Sequence, residues 1–127
     1  MAKRQRIKGK GIAEHPQPFP AAIRIGNMVF TSNVFGDDPE THEVPKDLET
    51  QCKNVFDAMR RIMEGAGGSP GDIAKVTVTM TSRDDRPTMN KYWTATFPNE
   101  DDRPVRHTVE GTLAQGRKIQ VEFIAVI

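Results

Sequence analysis

An α+β fold, one mixed β-sheet carrying two helices on one face, is what this 127-residue sequence predicts. Three observations carry that expectation. Runs of alternating apolar and polar residues, the mark of half-buried strands, recur along the chain. Two longer runs instead repeat apolar residues every three or four positions, as amphipathic helices do. The strands outnumber the helices, and each helix is apolar on one side only. In the order β-β-α-β-α-β-β, the natural packing is a sheet with both helices on one face. No third helix remains for the opposite face, and self-association is the economical way to cover it. The length suits one domain over residues 1–127, with residues 1–17 as a basic N-terminal arm or edge strand and a proline-rich loop.

The elements follow in order. Lys3, Arg4, Arg6, Lys8 and Lys10 crowd the start and read as a solvated arm or an edge strand. From His15 to Pro20, three prolines alternate with other residues; proline blocks both helix and central strand, so this is a shaped loop. Ala22–Ile25 and Met28–Ser32 are β-prone runs separated by Gly26-Asn27, a two-residue hairpin signal. Residues 36–45 form a polar loop. Leu48, Cys52, Val55, Phe56, Met59, Ile62, Met63 and Ala66 then make one helical stripe, with Asp47 as N-cap and Gly67-Gly68 as the stop. Cys52 on that stripe reads as a small core hydrophobe.

The glycine-rich stretch at 65–72 leads out of a helix into a strand, the reverse of a phosphate loop, so its glycines are connectors. Ala74, Val76, Val78 and Met80 alternate with polar residues in a strand. Asp84-Asp85-Arg86-Pro87 starts the second helix, which carries Met89, Tyr92, Trp93, Thr96 and Phe97. Two strands, about 105–111 and 119–127, close the chain.

Composition excludes several classes. With 18 basic and 17 acidic residues the net charge is +1, which argues against a mainly electrostatic nucleic-acid binder. No run approaches the roughly 18 apolar residues of a membrane span, and no apolar stretch follows the basic N-terminus to make a secretory leader. A lone cysteine excludes an internal disulfide and any multi-cysteine zinc site. The expectation is a small soluble cytoplasmic domain, with neither nucleic acid nor membrane as partner.

Two residues stand out chemically. From Val121 to Ile127 only Glu122 is polar, so the last strand reads as covered on both faces and its carboxylate as poorly hydrated. Such an acid is either paired with a cation or held for proton transfer. In the preceding strand Val105, His107 and Val109 share one face, and Arg106, Thr108 and Glu110 the other. The planar fork of Arg106 could neutralise Glu122 or grip a substrate carboxylate, within the chain or across to a second subunit. His15, His42 and His107 lack metal-ligand spacing, and no nucleophile elbow or nucleotide fingerprint is present. Any catalysis would be acid–base in type and free of cofactor. Trp93 and Phe97 read most simply as core or interface residues.

Over most of the chain, from about Pro18 to Ile127, these pieces resemble the RidA (YjgF) family, the reactive-intermediate deaminases. The resemblance rests on residues 25–32, Gln51, Asn54, Ala66-Gly67, residues 72–78, Asn90, Pro104-Val105-Arg106 and residues 121–125, in that order. It implies a chorismate-mutase-like α+β fold and a homotrimer with pockets between subunits. It also implies cofactor-independent hydrolysis of reactive enamines and imines to a ketone or 2-oxo acid and ammonia. By the same resemblance Arg106 grips the substrate carboxylate and Glu122 positions water, while Ser32, Asn33, Asn90, Phe19 and Trp93 line or shape the pocket. Departures from the family pattern are Phe19 and Trp93 where tyrosines are usual, Ser32-Asn33-Val34 for Ser-Gly-Gln, His107 for a small residue, and Leu113-Ala114 for Leu-Pro. They point to a specialised subgroup. Two other readings are a non-catalytic binder of small carboxylates, motivated by Phe19 and Asn33, and a ribonuclease or translation inhibitor, supported by the basic arm alone.

Overall fold

The last strand of the chain lies at the centre of one seven-stranded sheet. In the computed structural model, which describes residues 3–127, the elements are β1 (Gln5–Arg6), β2 (Ala22–Ile25), β3 (Met28–Thr31), β4 (Val34–Phe35), α1 (Leu48–Ala66), β5 (Ile73–Met80), α2 (Arg86–Thr96), β6 (Val105–Glu110) and β7 (Ile119–Val126). Met1 and Ala2 of the basic arm lie outside the described residues. The sheet order is β1-β2-β3-β7-β5-β6, with β4 also paired to β7. Only β5 and β6 run parallel, because α2 carries the chain back across the sheet between them. The fold is the expected mixed sheet with two helices, and no helix among the described residues is long and apolar enough to cross a membrane.

Two elements enlarge the predicted order. Part of the basic arm is an edge strand, β1, paired with β2. A short strand not foreseen, β4, follows a break at Ser32-Asn33 and pairs Val34 with Val121. At that break the side chain of Thr31 replaces a backbone acceptor: its Oγ1 takes the Phe123 N–H at 2.9 Å.

Helix α1 forms as its stripe dictates. Asp47 caps it by accepting the Thr50 N–H at 2.8 Å, and Gly67 ends it in the left-handed region at φ 88°. The Gly68 N–H then reaches back to the Met63 carbonyl at 2.8 Å. Cys52, Val55, Phe56, Met59, Ile62 and Met63 are buried against the sheet, each large apolar side chain contributing about 1.5–3 kcal/mol. The glycine-rich segment is the expected connector, a 3-10 turn at Pro70–Asp72 leading into β5.

Alternation decides which side chains meet the helices. On the helix face the neighbours Val76–Phe123, Val78–Val121, Met80–Ile119 and Val29–Ala125 are all buried. On the opposite face lie Thr77–Glu122, Thr79–Gln120, Lys75–Ile124, Phe30–Ile124 and Met28–Val126. The sequence reading had β7 covered on both faces. Within the chain it is covered on one: Ile124 is half-buried, and Glu122 and Val126 are exposed, because both helices occupy the other side. Met28, Val105 (66% exposed) and Val126 leave this open face partly apolar.

One buried polar side chain ties the elements together. Gln51, in the first turn of α1, is 1% exposed and donates from Nε2 to the carbonyls of Pro45 (2.7 Å) and Gly116 (3.1 Å). Its Oε1 accepts the Lys118 N–H at 2.7 Å, just before β7. Gln51→Met keeps the volume but strands these backbone groups, so urea titration should show a loss of about 2–4 kcal/mol; a change below about 0.5 kcal/mol would contradict the assignment.

Candidate active site

Arg106 pairs in register with Val76, which directs its side chain to the helix face, at the edge of the sheet. There it meets α2. Its Nη1 donates to Asn90 Oδ1 at 2.8 Å and lies 3.4 Å from Met89 Sδ, and its guanidinium sits 4.8 Å from the Trp93 ring centroid. Trp93 is fixed in turn, buried and edge-on to Phe97 at 4.8 Å and to Phe56 at 6.5 Å. Hydrogen bond and cation–π stack together hold the half-buried fork in one orientation. Among the described residues no carboxylate pairs with Arg106, and its Nε and Nη2 make no hydrogen bond. Burial, and then the Arg86 guanidinium nearby, lower its pKa from the ordinary arginine value. An anion would relieve both.

Glu122 lies elsewhere. It pairs with Thr77, whose other neighbour is His107, so these three cross the open face in one row. The carboxylate is exposed rather than desolvated, at a shallow recess of about 240 Å3 lined by Phe30, Thr31, Lys75, Thr77, Phe123 and Ile124. The sheet itself and the breadth of β5 separate it from Arg106. An ion pair between the two within one chain, which the sequence left open, is therefore not formed.

The remaining predicted residues gather near β3 and β4. Ser32 donates from Oγ to the Pro20 carbonyl at 2.6 Å, pinning the proline-rich loop to the end of β3. Phe19 is exposed on that loop and stacks on His15 with centroids 4.1 Å apart. Asn33 is exposed and faces a separate cleft of about 280 Å3 between residues 11–16, the loop after β4 and α1. The structure thus brings Arg106, Asn90 and Trp93 together, and leaves Glu122, the Phe19–Ser32 pair and Asn33 apart from them within one chain.

That separate cleft is built around Arg117 and Asp37, which the sequence did not single out, together with Asn54. Arg117 forms a two-pronged bridge to Asp37 (3.0 and 2.8 Å) and lies 4.0 Å over the Phe35 ring. The Asn54 side chain donates to the Gly36 carbonyl at 3.1 Å, and a Cβ on Gly36 would stand 2.3 Å from the Gln51 carbonyl oxygen. A glycine followed by two aspartates before a helix was the available signal. Among the described residues no three His, Cys, Asp or Glu side chains stand close enough together to hold a metal ion.

This is the fold of the RidA proteins. A crystal structure of RidA from an Antarctic Psychrobacter superposes with a TM-score of 0.90 at 30% identity, covering 98% of this chain and 100% of that one. Escherichia coli TdcF with bound serine superposes with a TM-score of 0.89 at 30% identity, covering 97% and 98%. A family model described as Endoribonuclease L-PSP matches residues 12–127. The 2-iminobutanoate/2-iminopropanoate deaminase of Escherichia coli K12 is 36% identical over 111 residues, 86% of this chain and 87% of the relative. A RutC family protein of Pyrococcus abyssi is 36% identical over 110 residues, 85% of each chain. The chain belongs to the RidA family, whose relatives at this similarity include imine deaminases.

Cys52 takes no part in these sites. It is fully buried, and burial, with Glu49 and Asp85 adding to it, pushes its thiol up to about 12. Since the thiolate is the reactive form, the native protein at pH 8 should resist a chromogenic disulfide reagent that labels it promptly in denaturant. Equally fast labelling in both conditions would contradict the burial.

Proposed function

We propose that this chain is a cofactor-independent enamine/imine deaminase acting on small carboxylate-bearing substrates, at sites formed between copies of a homotrimer. The observation that carries the reading is Arg106: a half-buried guanidinium, oriented by Asn90 and Trp93, with no carboxylate of its own among the described residues. A substrate carboxylate binding to its free edge satisfies the fork and offsets the repulsion from Arg86. The partly apolar open face, with Met28, Val105 and Val126 exposed, supports assembly. So does the placement of Glu122 on that face, since a neighbouring copy can bring it to the Arg106 edge. The names of the similar proteins support the substrate class: an iminobutanoate/iminopropanoate deaminase, and TdcF with bound serine, itself a small carboxylate.

The chemistry asks little beyond orientation and one proton. A protonated imine carbon is electrophilic, and water held by the Glu122 carboxylate attacks it as the carboxylate takes the water's proton. The resulting carbinolamine carries oxygen and nitrogen on one carbon. Glu122 returns the proton to nitrogen, ammonia leaves, and loss of the hydroxyl proton leaves the C=O group. The sum is C=NH plus water giving C=O plus ammonia. Arg106 fixes the substrate by its carboxylate while this happens.

With freshly generated 2-imino acids, Arg106→Ala should lower kcat/KM for ammonia release by roughly 10^2-fold or more through lost anchoring. Glu122→Gln, which cannot accept the proton, should lower kcat by roughly 10^2–10^4-fold. Wild-type rates in either variant would contradict the assignment. Binding of 2-oxo acids without turnover of any imine would instead make the protein a carboxylate binder.

A further inference from the structure

The substrate's second end is written on helix α2. Arg86, Asn90 and Trp93 occupy positions i, i+4 and i+7, so they lie along one face of the helix, a turn apart. Asn90 and Trp93 are the two residues that hold Arg106. Arg86 therefore stands just over one turn, about 6 Å along the axis, before Asn90 on the same face. Its field reaches that far, for it disfavours the charge on Arg106. Arg86 is exposed, and only its Nε is engaged, donating to the Arg83 carbonyl at 3.0 Å. Its terminal nitrogens make no hydrogen bond among the described residues.

Acidic groups lie near the start of the helix. Glu110, on the helix face of β6, accepts the Arg83 N–H at 3.1 Å, and neither it, Asp84 nor Asp85 forms an ion pair with Arg86 or Arg106 among the described residues. Arg86 and Arg106 thus lie within electrostatic reach of each other, and neither forms an ion pair with a carboxylate among the described residues. A monoanion satisfies one of them.

Resting on the proposed deaminase reading, we infer that this site prefers 2-imino acids bearing a second, distal carboxylate, with Arg106 holding the first carboxylate and Arg86 the second. Arg86 acts as a specificity-determining residue that touches the substrate's far end and not the reacting carbon.

The test is calorimetry of the intact protein with 2-oxoglutarate and with 2-oxopentanoate, product analogues of equal chain length that differ in the distal carboxylate. Wild type should bind the diacid about five- to tenfold more tightly, between the value of an exposed ion pair and that of a charge-assisted hydrogen bond. Arg86→Gln should bring the ratio near parity, Arg86→Lys should keep part of it, and Arg106→Ala should weaken both acids. Equal binding of both by wild type, or an unchanged ratio in Arg86→Gln, overturns the inference while leaving the deaminase reading standing. Binding of neither acid overturns both.

Discussion

The alternation of side chains along neighbouring strands is the constraint on which the site depends. In β6, Arg106 faces the helices because it stands level with buried Val76. In β7, Glu122 faces away because it stands level with Thr77. Shifting β7 by one residue would turn its core residues Val121 and Phe123 out to solvent, so hydrophobic burial locks the outward placement of Glu122, while a shift of β6 would take Arg106 away from Asn90 and Trp93. The same registry that stabilises the sheet keeps the two chemically telling residues on opposite sides of it.

Helix α2 completes the setting of the Arg106 guanidinium. Met89 and Trp93 bury its inner face, which fixes the helix against β6 and leaves Asn90 and the Trp93 ring to receive the guanidinium. Arginine suits this place because its charge survives partial burial, where lysine would shed its proton more readily. The stack on Trp93 satisfies one face of the fork and the Asn90 bond one nitrogen. The fork's remaining edge is left without an acidic partner among the described residues, as the proposed carboxylate clamp requires.

The parts of this arrangement governed by local periodicity were legible in the sequence. The α1 stripe, the Asp47 cap, the Gly67 stop and the hairpin around Gly26-Asn27 follow from spacing and turn chemistry, and all appear in the structure. The division of β6 into a Val105–His107–Val109 face and an Arg106–Thr108–Glu110 face was legible for the same reason. Strand β4 was not, because two residues carry no period and their pairing with β7 is set by the remote Val121. The exposure of Glu122 was also hidden: an apolar strand face reads alike whether a helix of the same chain or a second copy covers it. The Arg117–Asp37 bridge joins residues eighty positions apart, a separation over which a local pattern is silent.

Opposite placement makes the central claim testable by mixing. Neither Arg106→Ala nor Glu122→Gln retains a complete site, but if each site draws its arginine from one chain and its glutamate from another, co-assembled mixtures contain intact ones. For random equal mixing, activity should return to about a quarter of wild type, with ammonia release from a 2-imino acid as the readout. A refolded mixture no more active than its two parents would contradict the account.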